Sequence, residues 1–309
     1  MLAPLFTTKP IRALILIGLL LACACNFRGP AREGPIATRE ITDDAGRRVP
    51  LAAHVDRVIT LAPNLTEIVF AVGGGDRLVG NTTYCDYPAE ARTIAKVGDS
   101  LQPSLERIIA LRPQVVLIST ASQLEVFTQQ LHDQNISVFV TDPHDIEGVF
   151  RSIEQVGQIL GQTERASQLV KQLRERTTAV ERAVQNTKAL RVFYQASDEP
   201  LYTAGREAFV TDLIRRAGAV SVTADVSGAW PKYSKESALA ANPEAIILPT
   251  GGSMGAANAS VTEALRKSPA VREGRVYKIN DDYLARPGPR LIDGLEAMAR
   301  ALHPEAFKQ

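Results

Sequence analysis

The residues of this 309-residue chain with the plainest capacity for chemistry are four histidines, three cysteines and an adjacent pair of aspartates. His54, His132, His144 and His303 do not form the clustered His and carboxylate set that zinc or manganese requires. Asp281 and Asp282 are slender grounds for a hydrolase, because no nucleophile elbow or H-E-x-x-H accompanies them and the serines have no evident base. The glycines of "VGGGDRLVG" lack the helix that should open after Gly75 and the acidic ribose reader that a dinucleotide loop needs; no P-loop occurs. Cys85 stands alone beside a strand and reads as a small buried hydrophobe. Two other carboxylates remain, Glu106 in "SLERIIALRPQVVLIS" and Glu236 in "SKESALAANPEAIILP".

Both segments follow the pattern Ser-x-Glu-x-x-x-Ala-x-x-Pro and run into an apolar strand. In each, Ser104 or Ser234 is placed to cap a helix, and Glu106 or Glu236 falls in its first turn. Ala110 or Ala240 belongs to the inner face, and Pro113 or Pro243 lies where the helix has ended. An acid in the first turn gains roughly 0.3–1 kcal/mol from the helix dipole, reason enough for one copy. Two copies present two carboxylates at related points of a duplicated body.

Short β-branched runs alternate with helical patterns from "RVITLA" at 57–62 to "SVFVTD" at 137–142, and again from "LRVFYQA" at 190–196 to a last helix over 289–302. Such alternation predicts βαβ units and parallel sheets, hence an α/β chain in two halves. From Asp142 to about Asn186 there is no strand signal. Ile146, Val149, Phe150, Ile153, Val156 and Leu160 recur at helical spacing, with Asp142 as N-cap, Pro143 at the first helical position and Gly161 as the stop. A second helix follows Thr163, with Leu169, Leu173, Val180 and Val184 on its inner face. Both helices could cover a single sheet; the duplication around them favours the first as one rigid strut joining two lobes.

With 45% apolar and 22% charged residues the composition is that of a folded protein, and a net charge of +1 offers no basic face to nucleic acid. Lys9 and Arg12 precede the apolar run "ALILIGLLLA", which is short for a bilayer span, and "LLAC" closes it. The last resembles a bacterial lipobox, with Cys23 as the lipidated first residue of the mature chain. A plain signal peptide cut near Ala22 or Ala24, or an uncut anchor, is the alternative. Each buried acyl methylene contributes about 0.8 kcal/mol, so several chains would hold the protein on a membrane outside the cytoplasm. The expected organisation is a signal peptide over 1–22, a flexible tether over 23–40, an N-terminal α/β lobe over 41–142, a bridging helix over 143–161 and a C-terminal α/β lobe over 162–309. A disulfide framework is excluded for the body, with Cys85 its one cysteine and a Cys25–Cys85 bridge poorly motivated.

The segments "RVITLAPNLTEIVFAVG", "TTYCDYPAEA", "SLERIIALRPQVVLIS", "AWPKYSKESALAANPEAIIL" and "DDYLARPGPRLIDGLEAMARAL", in this order, resemble the periplasmic binding proteins for cobalamin, haem and iron-siderophore complexes that serve ABC importers. The resemblance covers about Arg57 to Leu302 and is nearest in pattern to the cobalamin-binding members. It implies two Rossmann-like lobes bridged by a single long α-helix, a ligand in the cleft between them, no catalysis and no resident cofactor or metal. It also implies a monomer whose Glu106 and Glu236 dock into arginine pockets of a permease dimer. Tyr84, Trp230, Asp282 and Arg286 match cleft positions of the cobalamin binders, and Tyr202 and Asn64 complete the implied set. Without the resemblance, Tyr84 is a packing tyrosine, Trp230 a loop anchor on its own lobe, and Arg286 the partner of Asp282 in a surface ion pair. The "GDSLQP" and "LISTAS" stretches depart from the pattern, with Asp99, Ser100 and Ser119 where some cobalamin binders place tryptophans. Haem or a ferric siderophore therefore stands beside a cobalt corrinoid as the implied ligand, with Tyr84 or Tyr202 as the candidate iron ligand, and the runner-up in class is an extracytoplasmic enzyme or sensor on the same duplicated α/β body.

Overall fold

The computed structural model describes residues 38–119, 125–252 and 260–308. The expected signal peptide, the expected lipidation site at Cys23 and the expected tether up to residue 37 lie outside the described residues. The last three residues assigned to the tether are already folded. Strand β1 (Thr38–Thr42) pairs antiparallel with β2 (Arg48–Ala52), Thr38 opposite Ala52. Val49 and Leu51 point into the core from β2, and the Asp44 N–H donates to the Val140 carbonyl at 3.1 Å, tying the hairpin to the first sheet.

That sheet contains β3 (Val58–Thr60), β4 (Leu78–Asn81), β5 (Val115–Ser119) and β6 (Ser137–Thr141), all parallel, in the order β4-β3-β5-β6. Its crossovers carry α1 (Pro63–Ala71), α2 (Leu105–Ala110) and α3 (Glu125–His132). Two long helices follow, α4 (Ile146–Ile159) and α5 (Thr163–Val184). The second sheet contains β7 (Arg191–Tyr194), β8 (Val220–Ser221), β9 (Ala245–Thr250) and β10 (Val276–Asn280), parallel in the order β8-β7-β9-β10. Helices α6 (Phe209–Arg216), α7 (Lys235–Ala240) and α8 (Pro269–Arg272) occupy the matching crossovers, and α9 (Asp281–Leu284) and α10 (Leu291–Leu302) end the chain's helical part. The two halves thus repeat one topology.

Strands β3, β5, β6 and β9 are buried on both faces, as parallel strands under helices are, whereas the edge strands β8 and β10 keep exposed positions. Val58, Val115, Leu117 and Phe139 of the first sheet and Val192, Tyr194, Ala245 and Ile247 of the second share one apolar core, while Val116, Ile118 and Val138, and separately Phe193, Ile246 and Leu248, fill the outer layers. The shared core takes in the apolar face of α4, which packs on α1 of the first half and α6 of the second.

Helix α4 begins later than its sequence suggests. Asp145, not Asp142, is the N-cap, accepting from the Gly148 N–H at 2.6 Å. Asp142 is committed elsewhere: its N–H donates to Asp44 Oδ2 at 2.7 Å and its carboxylate pairs with His144 Nε2 at 3.1 Å. At the other end Arg39 donates to the Gln158 and Ile159 carbonyls, at 2.7 and 2.5 Å, and Arg77 to that of Leu160, so the exposed carbonyls of the last turn are satisfied before Gly161 leaves the helix with φ +63°.

The duplicated segment repeats down to single hydrogen bonds. Ser104 accepts from the Arg107 N–H and Ser234 from the Ser237 N–H. Arg112 and Asn242, each just before the proline, leave their helices in the left-handed region, at φ 46° and 47°. The following Gln114 and Glu244 side chains accept the backbone N–H of Arg57 and Arg191, each at 3.0 Å. One expectation fails in both copies. Ala110 and Ala240 are exposed, and the buried face belongs to Ile108 and Ala238, because two residues along a helix turn a side chain by about 200°, to the opposite side of the axis.

Candidate functional site

The carboxyl ends of both sheets face a cavity of about 600 Å³. Leu61 follows β3, Ser119 ends β5, Asp142 follows β6, Tyr194 ends β7, Pro249 lies in β9 and Asp281 follows β10, and all six line it. In open α/β sheets the strand ends leave a crevice that loops can furnish, and here two such crevices meet.

Tyr84 reaches this cavity from the loop after β4. The loop is held from behind by polar groups: Asn81 donates to the Ala91 carbonyl at 3.0 Å, and Lys96 Nζ donates to Asn81 Oδ1 at 2.8 Å and to the carbonyls of Cys85 and Ala91 at 3.0 and 3.1 Å. Burial lowers the Lys96 pKa, with Cys85 and Asp86 opposing. The Cys85 thiol is buried, 3.2 Å from the Thr82 hydroxyl.

Trp230 lines the opposite half at 41% exposure. Its ring meets that of Phe209 edge-on at 5.9 Å and that of Tyr194 tilted at 6.1 Å, which fixes an aromatic wall. The strap bearing it is sewn to residues 203–205 by Thr203 N–H to Pro231 O and Gly205 N–H to Ala229 O, at 3.2 and 2.9 Å. Gly205 has to be glycine, since a Cβ there would stand 2.2 Å from the Gly228 carbonyl oxygen. Burial, then the nearby Asp281 charge, pushes the Tyr194 phenol pKa upward, so it remains a neutral hydroxyl.

Arg286 is not in a surface ion pair. It is 2% exposed, and its guanidinium contacts Glu67 of α1 at 3.0 Å, Asp86 at 2.9 Å and Asp282 at 2.8 Å. Arg290 closes a bidentate pair on the same Glu67, at 2.9 and 2.6 Å, and lies 4.0 Å from the Tyr87 ring. Burial opposes the charge of both arginines, but the carboxylates prevail and raise their pKa values. This network stitches the first half to the second at the cavity wall, as does Asn64, 4% exposed, which donates to the Pro287 carbonyl at 3.3 Å.

Of the six expected cleft residues, Tyr84, Trp230, Arg286 and Asn64 line the cavity. Asp282 and Tyr202 are not among its lining residues. Asp282 turns to Arg286, leaving Asp281 in the wall, and Tyr202 bridges to Ser197 and Lys232 on the strap's other edge. The sequence reading missed Glu67, Asp86 and Arg290, and also Tyr194, Phe209, His144, Glu207 and Asp281 of the lining. A signal existed only for Tyr194, at the end of an apolar strand pointing toward the crevice. Burial and then Asp282 raise the Asp281 pKa, with Arg286 opposing. His144 Nδ1 lies 2.9 Å from the Glu207 carbonyl, spanning the halves; that hydrogen bond first, and Asp142 after the opposing effect of burial, raise the imidazole pKa. Glu106 and Glu236 are both exposed, away from these contacts, in the first turns of α2 and α7. No group of three or more His, Cys, Asp or Glu able to hold a metal gathers among the described residues, and no helix there is long and apolar enough to cross a membrane.

Comparison with known proteins agrees with this architecture. An ABC transporter substrate-binding lipoprotein of Bacillus subtilis, YvrC, described as uncharacterized, is 32% identical over 276 residues, 87% of each chain. The crystal structure of the periplasmic vitamin B12 binding protein BtuF of Vibrio cholerae superposes with a TM-score of 0.72 at 26% identity, covering 82% of this chain and 99% of that one. The periplasmic haem-binding protein RhuT of Roseiflexus sp. RS-1, in its apo form, gives 0.71 at 25% identity over the same shares. The family model for periplasmic binding proteins matches residues 58–283, from the first strand of the first sheet to the wall of the cavity. The chain is a substrate-binding component of the ABC-transporter type and not an enzyme, and it belongs to the periplasmic binding protein family.

Proposed function

We propose that the protein captures cobalamin or a related corrinoid in the cavity between its two sheets and delivers it to an ABC importer. The cavity itself carries the reading: about 600 Å³, faced by Tyr84 on one side and by the Trp230, Phe209 and Tyr194 wall on the other. A corrin is a broad apolar ring with a polar fringe, which aromatic faces cover and a few polar groups orient. The vitamin B12 binding protein among its structural relatives supports the same reading. Haem or a ferric siderophore is the second reading, supported by the haem-binding relative and by the phenol of Tyr84 in the wall.

In this reading Glu106 and Glu236 meet the two subunits of a permease dimer, and Cys23 anchors the monomer by lipid to the extracytoplasmic face of a bacterial membrane. The helix α4 and the Glu67–Arg286 network hold the halves at a nearly constant angle, so the ligand-bound form differs from the free form by small rotations. Hydrogen exchange showing wide opening without ligand would count against that rigidity.

Trp230 is the only tryptophan in the chain, and its fluorescence in the detergent-purified full chain reports on the cavity. Titration with cyanocobalamin is expected to quench it with submicromolar affinity, at least about 8 kcal/mol of binding free energy. Saturation with hemin or a ferric hydroxamate in place of cyanocobalamin would keep the family and replace the ligand. Release of the protein from membranes by Cys23→Ala tests the anchor.

A further inference from the structure

The charge of the cavity wall bears on which ring it takes. Among the described residues, Asp142, Glu207 and Asp281 line it, and the one guanidinium in the lining, that of Arg286, is already shared among Glu67, Asp86 and Asp282. Arg290, the nearest further cation in that network, is spent on Glu67. His144 is held between Asp142 and the Glu207 carbonyl.

We infer that the cleft selects a ring whose fringe donates hydrogen bonds, carboxamides above all, and rejects a ring fringed with carboxylates, with Asp281 and Glu207 as the discriminating groups. A carboxylate accepts hydrogen bonds and donates none, so it pairs with an amide N–H and repels another carboxylate. Asp281 carries the larger share, because it is more withdrawn from water than the exposed Glu207 and its charge is less screened. Glu207 is held in place, its Oε1 accepting from the Gly228 N–H at 3.2 Å on the strap that bears Trp230. The inference rests on the ring-binding reading above and narrows it toward amide-fringed corrinoids.

The test compares pairs that share a ring and differ only in fringe charge: cyanocobalamin against its hydrolysis product with side-chain carboxamides converted to carboxylates, and hemin against its diamide. Calorimetry on the detergent-purified full chain reads the affinities. For any ring that binds, the carboxamide form should bind at least tenfold more tightly. Glu207→Gln should narrow that ratio, Asp281→Asn should narrow it further, and the double variant should bring it within threefold. Circular dichroism checks folding, and Glu207→Gln alone, at an exposed position, decides the matter if Asp281→Asn misfolds. A ring that binds equally well or better with carboxylates, or a ratio unmoved by the variants, overturns the charge selection while leaving ring binding intact. Failure of all four compounds to bind removes the ring reading, and the selection with it.

Discussion

Replacing Glu67 by glutamine removes the charge on which two buried arginines converge while keeping the shape of the side chain. Glu67 is 3% exposed and accepts from Arg286 at 3.0 Å and from Arg290 at 2.9 and 2.6 Å. At an effective dielectric constant near 20, each charge pair at such distances is worth about 5 kcal/mol gross, of which the desolvation of Glu67 cancels a large part. Asp86 and Asp282 still hold Arg286 in the variant, but Arg290 loses its bidentate pair with Glu67 and keeps the charge of Asp282 without a salt bridge among the described residues. Breaking one partner of a buried network costs roughly 3–5 kcal/mol. For a chain of this size that corresponds to a melting temperature lower by roughly 10 °C. Thermal and urea unfolding of the wild type, Glu67→Gln and Arg290→Met, with the double variant closing the cycle, measure the loss and the coupling. A Glu67→Gln cost below about 1 kcal/mol, with no coupling to Arg290, would refute the view that this network joins the halves, since exposed pairs behave in that way. A second readout follows from the same geometry. Arg286, relieved of one acid, offers more positive charge to the cavity, so Glu67→Gln should improve binding of a carboxylate-fringed ring relative to wild type.

Glu106→Ala and Glu236→Ala should each abolish uptake in cells or vesicles carrying the cognate importer while leaving ligand affinity unchanged; a variant that transports normally would remove that glutamate from docking. Ser234→Ala loses the cap on α7, whose Oγ accepts from the Ser237 N–H at 2.9 Å, and is expected to cost about 1 kcal/mol in urea unfolding, with Ser104→Ala similar; no measurable change would mean that packing alone sets these short helices. The His144 pKa is raised in the folded state from its ordinary 6.5, so its contribution is fully present below the unfolded value and fades as pH rises through the folded one. The melting-temperature gap between wild type and His144→Gln should accordingly be larger near about pH 5 than near about pH 8, and a gap that grows in alkali would contradict the assignment. Gly205→Ala forces a Cβ into the Gly228 carbonyl and should displace the Trp230 strap, visible as altered tryptophan emission with the rest of the fold retained.

Much of the fold was legible because its signals are local. Alternation of short β-branched runs with helical periodicity identifies two parallel α/β halves, and a serine followed by a first-turn acid and a later proline marks α2 and α7 in both. The hairpin β1–β2 was not legible, because Thr38–Glu40 look like the polar tether before them and become a strand only by pairing with residues 50–52. The start of α4 was misplaced by three residues, since Asp142 and Asp145 are equally good caps in isolation. The choice falls to Asp44 and His144, which engage Asp142 from elsewhere.

For the site the division is sharper. The family resemblance nominated Tyr84, Trp230, Arg286, Asn64, Asp282 and Tyr202, of which the first four line the cavity, whereas the helix-start pattern alone put Glu106 and Glu236 in exposed first turns, because helix starts are written over a few consecutive residues. Sequence could not rank Asp281 against its neighbour Asp282: they begin one short helix, and which faces the cavity and which turns to Arg286 depends on how α9 packs. Nor could it join Glu67 to Arg286, 219 positions apart. Local hydrogen bonding and hydrophobic periodicity are properties of a segment. A buried charge needs a partner, and which partner it finds is decided only when the two halves close on one core.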